Sequence, residues 1–267
     1  MDFAADLDAL QAQSLLRRRP LLDSAPGPRL NIDGKDYLAF ASNDYLGLAN
    51  HPALIAAAQQ AAAHWGVGGT ASHLVAGHFT PHELLEQELA AFVGLPAALL
   101  FSSGYMANLG VLTSLLQRGD AVFADKLNHA SLNDACLLAR AEFKRFRHND
   151  LAYLQALLAA STARRKVIAV DAVFSMDGDL APLADLLQLA ETYDAWLYLD
   201  DAHGFGVLGP LGQGSLAHWA INSSRIGRMA RTPRSSTCVS MLRKRLKGEL
   251  ATIAARSTGL LMIFPAG

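Results

Sequence analysis

The chain has 267 residues, of which 51% are apolar and 18% charged, and its formal net charge is −1. This composition is typical of a soluble globular protein and is sufficient for one large domain. The near-neutral charge gives no support for a nucleic-acid partner or for a membrane surface. No apolar run approaches the roughly 18 residues that a membrane-spanning helix requires.

The cysteine content and the first residues predict a cytoplasmic protein. Two cysteines, Cys136 and Cys238, are too few for a disulfide framework and favour a reducing compartment. The acidic start, Met1 to Asp6, lacks the basic-then-apolar order of a signal peptide.

The charge is distributed unevenly along the chain. Residues 1–221 contain 14 basic and 23 acidic residues, whereas residues 222–267 contain nine basic residues and a single acid, Glu249. The tail also lacks the hydrophobic periodicity of helices and strands. One interpretation is a basic interaction arm. The other, which we favour, is that a shifted reading frame has replaced the native continuation of the fold.

The first part of the sequence predicts three helices and a glycine-rich loop. An amphipathic helix is expected over residues 4–19, ending at Pro20. The Ala-rich stretch His51–Trp65 predicts a second helix, closed by the glycine-rich loop at residues 66–69. Thr80 and Pro81 mark the start of the next helix.

From Leu95 onward, short apolar strands alternate with helices. The predicted strands are Ala97–Phe101, Ala121–Ala124, Phe143–Phe146, Lys166–Val170 and Trp196–Leu199. The predicted helices are Tyr105–Gln117, Leu132–Arg140, Leu151–Ala160 and Leu183–Tyr193. Continuous apolar strands that alternate with helices predict an α/β fold, in which helices sandwich a mostly parallel sheet.

Four of the predicted strand ends carry polar residues, and ligands of such sheets bind outside the carboxyl ends of the strands. After the first strand, Ser102-Ser103-Gly104-Tyr105 leads at once into a helix. The N–H groups at a helix start suit a phosphate, Gly104 permits close approach, and Tyr105 adds a flat aromatic surface. The alternative is an ordinary strand-to-helix turn.

His129 and Ser175 follow two further strands. His129 stands between a strand and a helix, where it either faces the same crevice or caps the helix. Ser175 lies in a loop that is rich in acceptors and hydroxyls. An Asx-type turn explains the Asp177-Gly178 pair in that loop but does not explain the serine.

The fourth strand ends in Asp200 and Asp201, closely followed by His203. Carboxylates at the end of an apolar strand are costly unless a cation or a metal pairs with them. A carboxylate that faces a pyridine nitrogen keeps that nitrogen protonated. A metal ion is the alternative, but the sequence shows no second cluster of ligands with suitable spacing, and we predict no metal site.

Together these strand ends resemble the cofactor loops of fold-type-I pyridoxal-5′-phosphate (PLP) enzymes. They are most similar to the α-oxoamine synthase family, whose members condense an amino acid with an acyl-CoA and release carbon dioxide. The similarity extends from about Arg17 to about Trp219. It is carried by Ser42-Asn43-Asp44-Tyr45-Leu46-Gly47-Leu48, Val173-Phe174-Ser175-Met176-Asp177-Gly178-Asp179 and Asp200-Asp201-Ala202-His203-Gly204.

Within the family, the loop from Gly69 to His78 resembles the biotin-pathway branch more than the synthases that use glycine or serine. The resemblance implies L-alanine and pimeloyl-CoA, or a related acyl thioester, as substrates. It also implies a homodimer, in which Asn43-Asp44-Tyr45 is similar to the part that one subunit contributes to its neighbour.

The resemblance implies how the cofactor is bound. Gly104 and Tyr105 would bind PLP beside its phosphate. His129 would stack on the pyridine ring and contact the substrate, and Asp200 would pair with the pyridinium nitrogen.

Three further residues have implied roles. His203 and Ser175 would form hydrogen bonds around the phenolic oxygen of the ring. Together His129, Asp200 and His203 are the implied catalytic residues. Arg17, which Arg18 and Arg19 follow, would bind the acyl substrate, because a guanidinium group suits an anion.

The sequence departs from the family pattern beyond the Asp-Asp-Ala-His stretch. Roughly thirty residues further on, the family carries the lysine that binds PLP covalently, but residues 227–234 contain no lysine. Lys244 and Lys247 lie in a charged run that does not match. A Schiff-base lysine requires small, apolar neighbours that lower its pKa.

The predicted organisation therefore has three parts. Residues 1–35 form an N-terminal arm, 36–221 an incomplete PLP-binding large domain, and 222–267 a divergent basic tail. The small C-terminal domain of the family is expected to be missing, and the activity is expected to be impaired.

Three alternatives remain open. The chain could be a non-catalytic PLP-binding remnant or partner subunit. It could be another α-oxoamine synthase with a different amino acid and acyl-CoA. Finally, a metal-dependent hydrolase could use Asp200, Asp201 and His203.

Overall fold

The computed structural model describes residues 2–95, 97–221, 239–241 and 261–264. The chain divides into two compact units, with the boundary along the sequence between His51 and Pro52. The predicted domain boundary at residue 35 therefore lies inside the first unit. Among the described residues, no helix is both long enough and apolar enough to cross a bilayer.

The first unit contains one helix and one hairpin. Helix α1 spans Phe3–Ala12, and the carboxylate of Asp2 caps it by accepting the N–H groups of the first turn. The prediction that this helix continues to residue 19 is wrong, because the chain leaves the helical conformation at Ser14, whose φ is +56°. Strands β1 (Arg29–Ile32) and β2 (Lys35–Leu38) pair antiparallel across a tight turn.

The second unit contains the remaining elements. Its helices are α2 (Pro52–Trp65), α3 (Thr80–Val93), α4 (Gly104–Leu115), α5 (Ala130–Leu138), α6 (Leu151–Ala159), α7 (Leu183–Thr192) and α8 (Ser215–His218), with a π-helical turn at His73–Gly77. Its strands are β3 (Ala97–Leu100), β4 (Ala121–Asp125), β5 (Glu142–Phe146), β6 (Lys166–Asp171), β7 (Ala195–Asp200), β8 (Val239–Met241) and β9 (Leu261–Phe264). The predicted strands between residues 97 and 200 are all present.

These strands form one sheet with the order β3-β9-β8-β7-β6-β4-β5. The strand pairs β5–β4, β4–β6, β6–β7 and β7–β8 are all parallel. Strand β9 is antiparallel to both β8 and β3, so β3 runs in the same direction as the parallel strands. The predicted mostly parallel sheet is confirmed. Because β3, β4, β6 and β7 run in the same direction, their carboxyl ends lie at the same edge of the sheet.

Strands β8 and β9 are the described parts of the tail. Their backbones pair in register with the sheet, for example Leu199 with Val239 and Leu99 with Met262. Residues 227–234, Lys244 and Lys247 lie outside the described residues. The predicted divergence of the tail therefore stays a prediction.

The sheet is covered on both faces, and β6 shows why its sequence is continuously apolar. Ile168 and Val170 pack into a cluster with α6 and α7 on one face. Val167 and Ala169 pack into a second cluster with α4 and α5 on the other face. Because successive side chains of a strand point to opposite faces, a strand between two helical layers needs apolar residues at every position.

We expect Phe123→Ala to lower the free energy of unfolding by about 3–5 kcal/mol, because it removes a large side chain from a closely packed core. Phe123 lies in β4 and is fully buried. Urea unfolding followed by circular dichroism measures the change. The control Leu137→Ala, at a side chain 62% exposed, should change stability by less than about 0.5 kcal/mol. Equal losses in both variants would contradict the assigned core.

Candidate active site

A cavity of about 300 Å³ opens at the carboxyl edge of the sheet. Its walls come from the loops that follow β3, β4, β6 and β7, as expected for ligand sites in parallel sheets. The lining residues are Ser103, Gly104, Tyr105, His129, Ser131, Asp171, Val173, Asp200, Ala202 and His203.

The structure brings together five of the residues singled out by sequence: Gly104, Tyr105, His129, Asp200 and His203. It does not bring all of them together. Ser175 is exposed in the loop beyond Val173 and does not line this cavity. Arg17 is exposed and belongs to the N-terminal unit. The functional roles of these residues stay predictions.

The start of α4 forms one end of the cavity. Ser103 is the N-cap of this helix, and its hydroxyl accepts the N–H of Met106 at 3.2 Å. The helix begins at Gly104, so the positive end of its dipole lies at the cavity wall. The hydroxyl of Tyr105 donates to Asp134 at 3.1 Å, which fixes its ring beside the helix start. The predicted strand-to-helix turn is present, and because an ordinary capped helix start also exposes N–H groups that suit an anion, the phosphate-binding interpretation stays a prediction.

Asp200 also lines the cavity and is buried. Its Oδ2 accepts the side-chain amide of Asn108 at 2.8 Å, and its Oδ1 accepts the backbone N–H of Ala202 at 3.1 Å. The same Asn108 amide group donates to Ser131 at 3.0 Å, and its carbonyl accepts the hydroxyl of Tyr198. These bonds leave the buried amide one orientation and hold the Asp200 carboxylate in place through both of its oxygens.

His129 is fixed through the same network. Its Nδ1 accepts the backbone N–H of Ser131 at 3.2 Å and lies 2.7 Å from the Ser131 hydroxyl. A ring nitrogen that accepts a backbone N–H bears no proton, so the neutral ring carries its proton on Nε2. His129 is therefore the N-cap of α5 and also lines the cavity. The two interpretations of this histidine are compatible.

Asp171 is an acidic residue of the cavity that the sequence analysis missed. It is the last residue of β6, directly opposite Asp200 in β7. Its Oδ2 accepts the backbone N–H of His129 at 3.0 Å, while its buried Oδ1 has no hydrogen-bond partner among the described residues. Burial, followed by the charge of Asp200, raises the pKa of Asp171 to about 8. A cation in the cavity would relieve the repulsion between these two carboxyl groups.

Asp201 does not line the cavity and instead forms hydrogen bonds within the protein. Its carboxylate accepts the backbone N–H of Ser215 at 2.8 Å and also the Ser215 hydroxyl. Gly204 packs so closely that a Cβ there would lie 2.1 Å from Asp201 Oδ1. Burial raises the pKa of Asp201 to about 7. In the described part of the chain, the groups of convergent ligand atoms include neither Asp201 nor Asp200 and His203, which argues against the metal-dependent hydrolase.

Three lining or supporting residues escaped the sequence analysis: Asn108, Ser131 and Asp171. Asn108 stands one helical turn after Gly104, where a polar side chain is ordinarily solvated. Its burial (1% exposed) comes from packing against β7, a contact between residues far apart in sequence. Asp171 could have been found, because a carboxylate that ends a buried strand is unusual in the same way as Asp200.

Three comparisons place the chain among known proteins. Residues 35–241 match the family model "Aminotransferase class I and II". The chain is 62% identical to 8-amino-7-oxononanoate synthase of Chromobacterium violaceum over 86% of its own length and 60% of that protein. The chain spans between 54% and 60% of the length of the curated relatives it matches.

Two solved structures are similar to the fold. Serine palmitoyltransferase from S. paucimobilis, with bound PLP and myriocin, superimposes with a TM-score of 0.83 at 28% identity, covering 99% of this chain and 62% of that one. The 8-amino-7-oxononanoate synthase of Francisella tularensis gives a TM-score of 0.65 at 27% identity, covering 84% of this chain and 57% of that one.

The raised pKa of Asp171 predicts a pH-dependent stability. Because its folded-state value of about 8 exceeds that of an unfolded aspartate, the folded chain binds this proton more tightly. Its contribution to stability is therefore complete at low pH and is lost as the pH rises from about 4 to about 8. Asp171→Asn removes the ionisation, so the free energy of unfolding should fall less steeply over this range than in the parent chain.

Urea unfolding at several pH values measures that slope. The matched control is Asp194→Asn, because Asp194 is exposed and stands just before β7, at the edge of the sheet opposite the cavity. It should follow the parent chain throughout. A parental slope in Asp171→Asn would show that this carboxyl group is not the one that binds the extra proton.

Proposed function

The chain belongs to the class I and II aminotransferase family, and we propose on this premise that its cavity binds PLP. We further propose that the fold serves the condensation of L-alanine with pimeloyl-CoA, with loss of carbon dioxide, to give 8-amino-7-oxononanoate for biotin biosynthesis. One observation carries the proposal: a helix start and a buried pair of carboxyl groups, Asp171 and Asp200, line the same 300 Å³ cavity.

The donor and acceptor chemistry of the cavity fits PLP at both ends. Ser103 and Gly104, at the start of α4, suit a phosphate dianion. Asp200 suits a protonated pyridine nitrogen, which would also compensate the unpartnered Oδ1 of Asp171 with a nearby positive charge. When bound, PLP supplies an electron sink for the negative charge that develops at the amino acid's α-carbon.

The protein's contribution is to hold its own groups in fixed orientations. Asn108 and the backbone of Ala202 hold Asp200 as an acceptor. Ser131 holds the His129 ring, whose Nε2 proton remains available to a substrate. His203 is half-buried at the same wall and would donate or accept a hydrogen bond beside the ring oxygen. Orientation before the reaction reduces the entropy lost in reaching the transition state.

The choice of substrates is supported by sequence identity rather than by fold. The serine palmitoyltransferase is similar at 28% identity, whereas the synthase of C. violaceum is similar at 62%. We therefore favour L-alanine and pimeloyl-CoA over another amino acid and acyl-CoA. Arg17 is proposed to bind the acyl substrate, Ser175 to lie near the ring oxygen, and the chain to form a homodimer.

A second candidate function is a PLP-binding protein without turnover, either alone or as a partner of an intact homologue. It is favoured by the lining of the cavity, where the described residues include no lysine. Lys244 and Lys247 lie outside the described residues. We therefore propose that PLP binds without a covalent bond and that turnover is impaired.

Asp200→Asn is expected to weaken PLP binding about tenfold or more, because it replaces a charge-assisted hydrogen bond to a pyridinium group with a neutral one. Equilibrium dialysis and the absorbance of bound PLP measure the dissociation constant. Asp194→Asn, the exposed control, should bind PLP like the parent chain. If both variants bind as the parent does, the proposed ring partner is wrong.

Sodium borohydride followed by peptide mass mapping tests the bond to PLP. We expect no lysine to be labelled stoichiometrically and PLP to be released by gel filtration, because a Schiff base requires an amine within the cavity. Free lysine mixed with PLP controls for the reduction step. A stoichiometric adduct on Lys244 or Lys247 would overturn the view that the covalent anchor is lost and would favour an active enzyme.

A further inference from the structure

Three histidines converge at the start of α3, away from the cavity. His73 is the first residue of the π-helical turn, His78 directly follows the turn, and His82 lies in the first turn of α3. One ring nitrogen of each lies within 4.8 Å of the other two. The ring centroids of neighbouring pairs are 4.6 to 5.7 Å apart. None of these residues lines the candidate active site.

The backbone of this segment holds the histidines together. The carbonyl of Ser72 accepts the N–H groups of Val75, Ala76 and Gly77, which closes the turn. A Cβ at Gly77 would lie 1.9 Å from the carbonyl oxygen of Ala71, so only glycine fits there. The turn therefore brings His78 next to His73. Their Nδ1 atoms are 2.9 Å apart.

We propose that His73, His78 and His82 form a binding site for a divalent transition-metal ion of the Zn²⁺ type. Imidazole is a preferred ligand of Zn²⁺, with Zn–N distances of about 2.0–2.1 Å. Two nitrogens on one tetrahedral ion are then about 3.3 Å apart. The spacing of the Nδ1 atoms of His73 and His78 is close to this, and one ring nitrogen of each of the three histidines lies within 4.8 Å of the other two.

Glu83 supplies the outer carboxylate that such a site requires. The Nε2 of His78 lies 3.2 Å from Glu83 Oε2, and Gln87 donates to Glu83 Oε1 at 2.6 Å. A proton on Nε2 of His78, held by this carboxylate, leaves Nδ1 as the metal ligand. Carboxylate–histidine–metal arrangements of this kind fix the tautomer and raise the basicity of the ligand.

His82 must exchange one hydrogen bond to join the site. Its Nδ1 accepts the backbone N–H of Phe79 at 3.0 Å, which caps α3. Metal coordination by the ring replaces this single hydrogen bond with a stronger metal–nitrogen bond. An alternative set of His78, Glu83 and Glu86 is less suitable, because Glu86 already accepts the backbone N–H of Leu100 at 2.8 Å.

A water molecule would occupy the fourth coordination position of the ion, because His73 and His78 are both exposed to solvent. A three-histidine site with an open position differs from a closed structural site. Metal binding would fasten the loop that contains the π-helical turn to α3. We therefore expect the ion to stabilise the folded chain by mass action.

The test uses the full chain, freed of metal with a chelator, to which Zn²⁺ alone is added. Competition with a chromophoric chelator should give one Zn²⁺ ion per chain. His73→Ala and His78→Ala should each weaken binding more than tenfold, because loss of an outer-shell partner alone costs about 10–100-fold. Glu83→Gln should weaken it by about that outer-shell factor. The control His218→Ala, at an exposed histidine in α8, should bind as the parent does.

Co²⁺ added in place of Zn²⁺ provides a spectroscopic measurement. We expect visible d–d absorption of four-coordinate cobalt, absent in His73→Ala. Circular dichroism of each metal-free variant establishes that it is folded. Parental affinity in both His73→Ala and His78→Ala, or an equal loss in His218→Ala, would overturn the proposal. Because PLP is absent from these measurements, their failure would leave the proposed function untouched.

Discussion

The register of β6 against β7 imposes the central constraint on this protein. The two parallel strands end side by side, so Asp171 and Asp200 are forced to face each other in a buried position. Two carboxyl groups in that position repel each other and lose hydration. The surrounding donors compensate in part: Asn108 and Ala202 for one group, the backbone of His129 for the other. What repulsion remains is relieved either by a proton on Asp171, whose pKa is raised to about 8, or by a nearby cation, and the second possibility is the physical basis of the proposed cofactor.

A second set of polar contacts, made by His148, joins the carboxyl end of β4 to the loop that follows β6. His148, after β5, bridges the carboxylates of Asp125, at the end of β4, and Asp179, in the loop after β6, at 3.1 and 2.8 Å. Burial lowers the pKa of His148, but the bonds to these carboxylates outweigh it, and the pKa is raised. The loop that carries Ser175 is thereby anchored at its far end, although Ser175 itself is exposed.

Much of the fold could be predicted because its signals are local. The apolar residues Val167–Val170 of β6 are all buried, alternately in the clusters on the two faces of the sheet, as expected for a strand between helical layers. The first helix was predicted too long because periodicity does not detect the end of the helix before Ser14, whose φ is positive. Gly104, His129, Asp200 and His203 were predicted together since the carboxyl ends of parallel strands meet at one edge.

By itself, the sequence determined the strand–helix alternation and which strand ends carry chemical groups. Both depend on residue type and spacing within a few positions. Only the tertiary structure decided that Asn108 joins Asp200 to the His129 wall, that Asp171 is the second acid of the cavity, and that Asp201 bonds to Ser215 instead. It also decided that three histidines converge beside the π-helical turn. These contacts depend on strand register, helix rotation and the packing around one glycine, which no local pattern encodes.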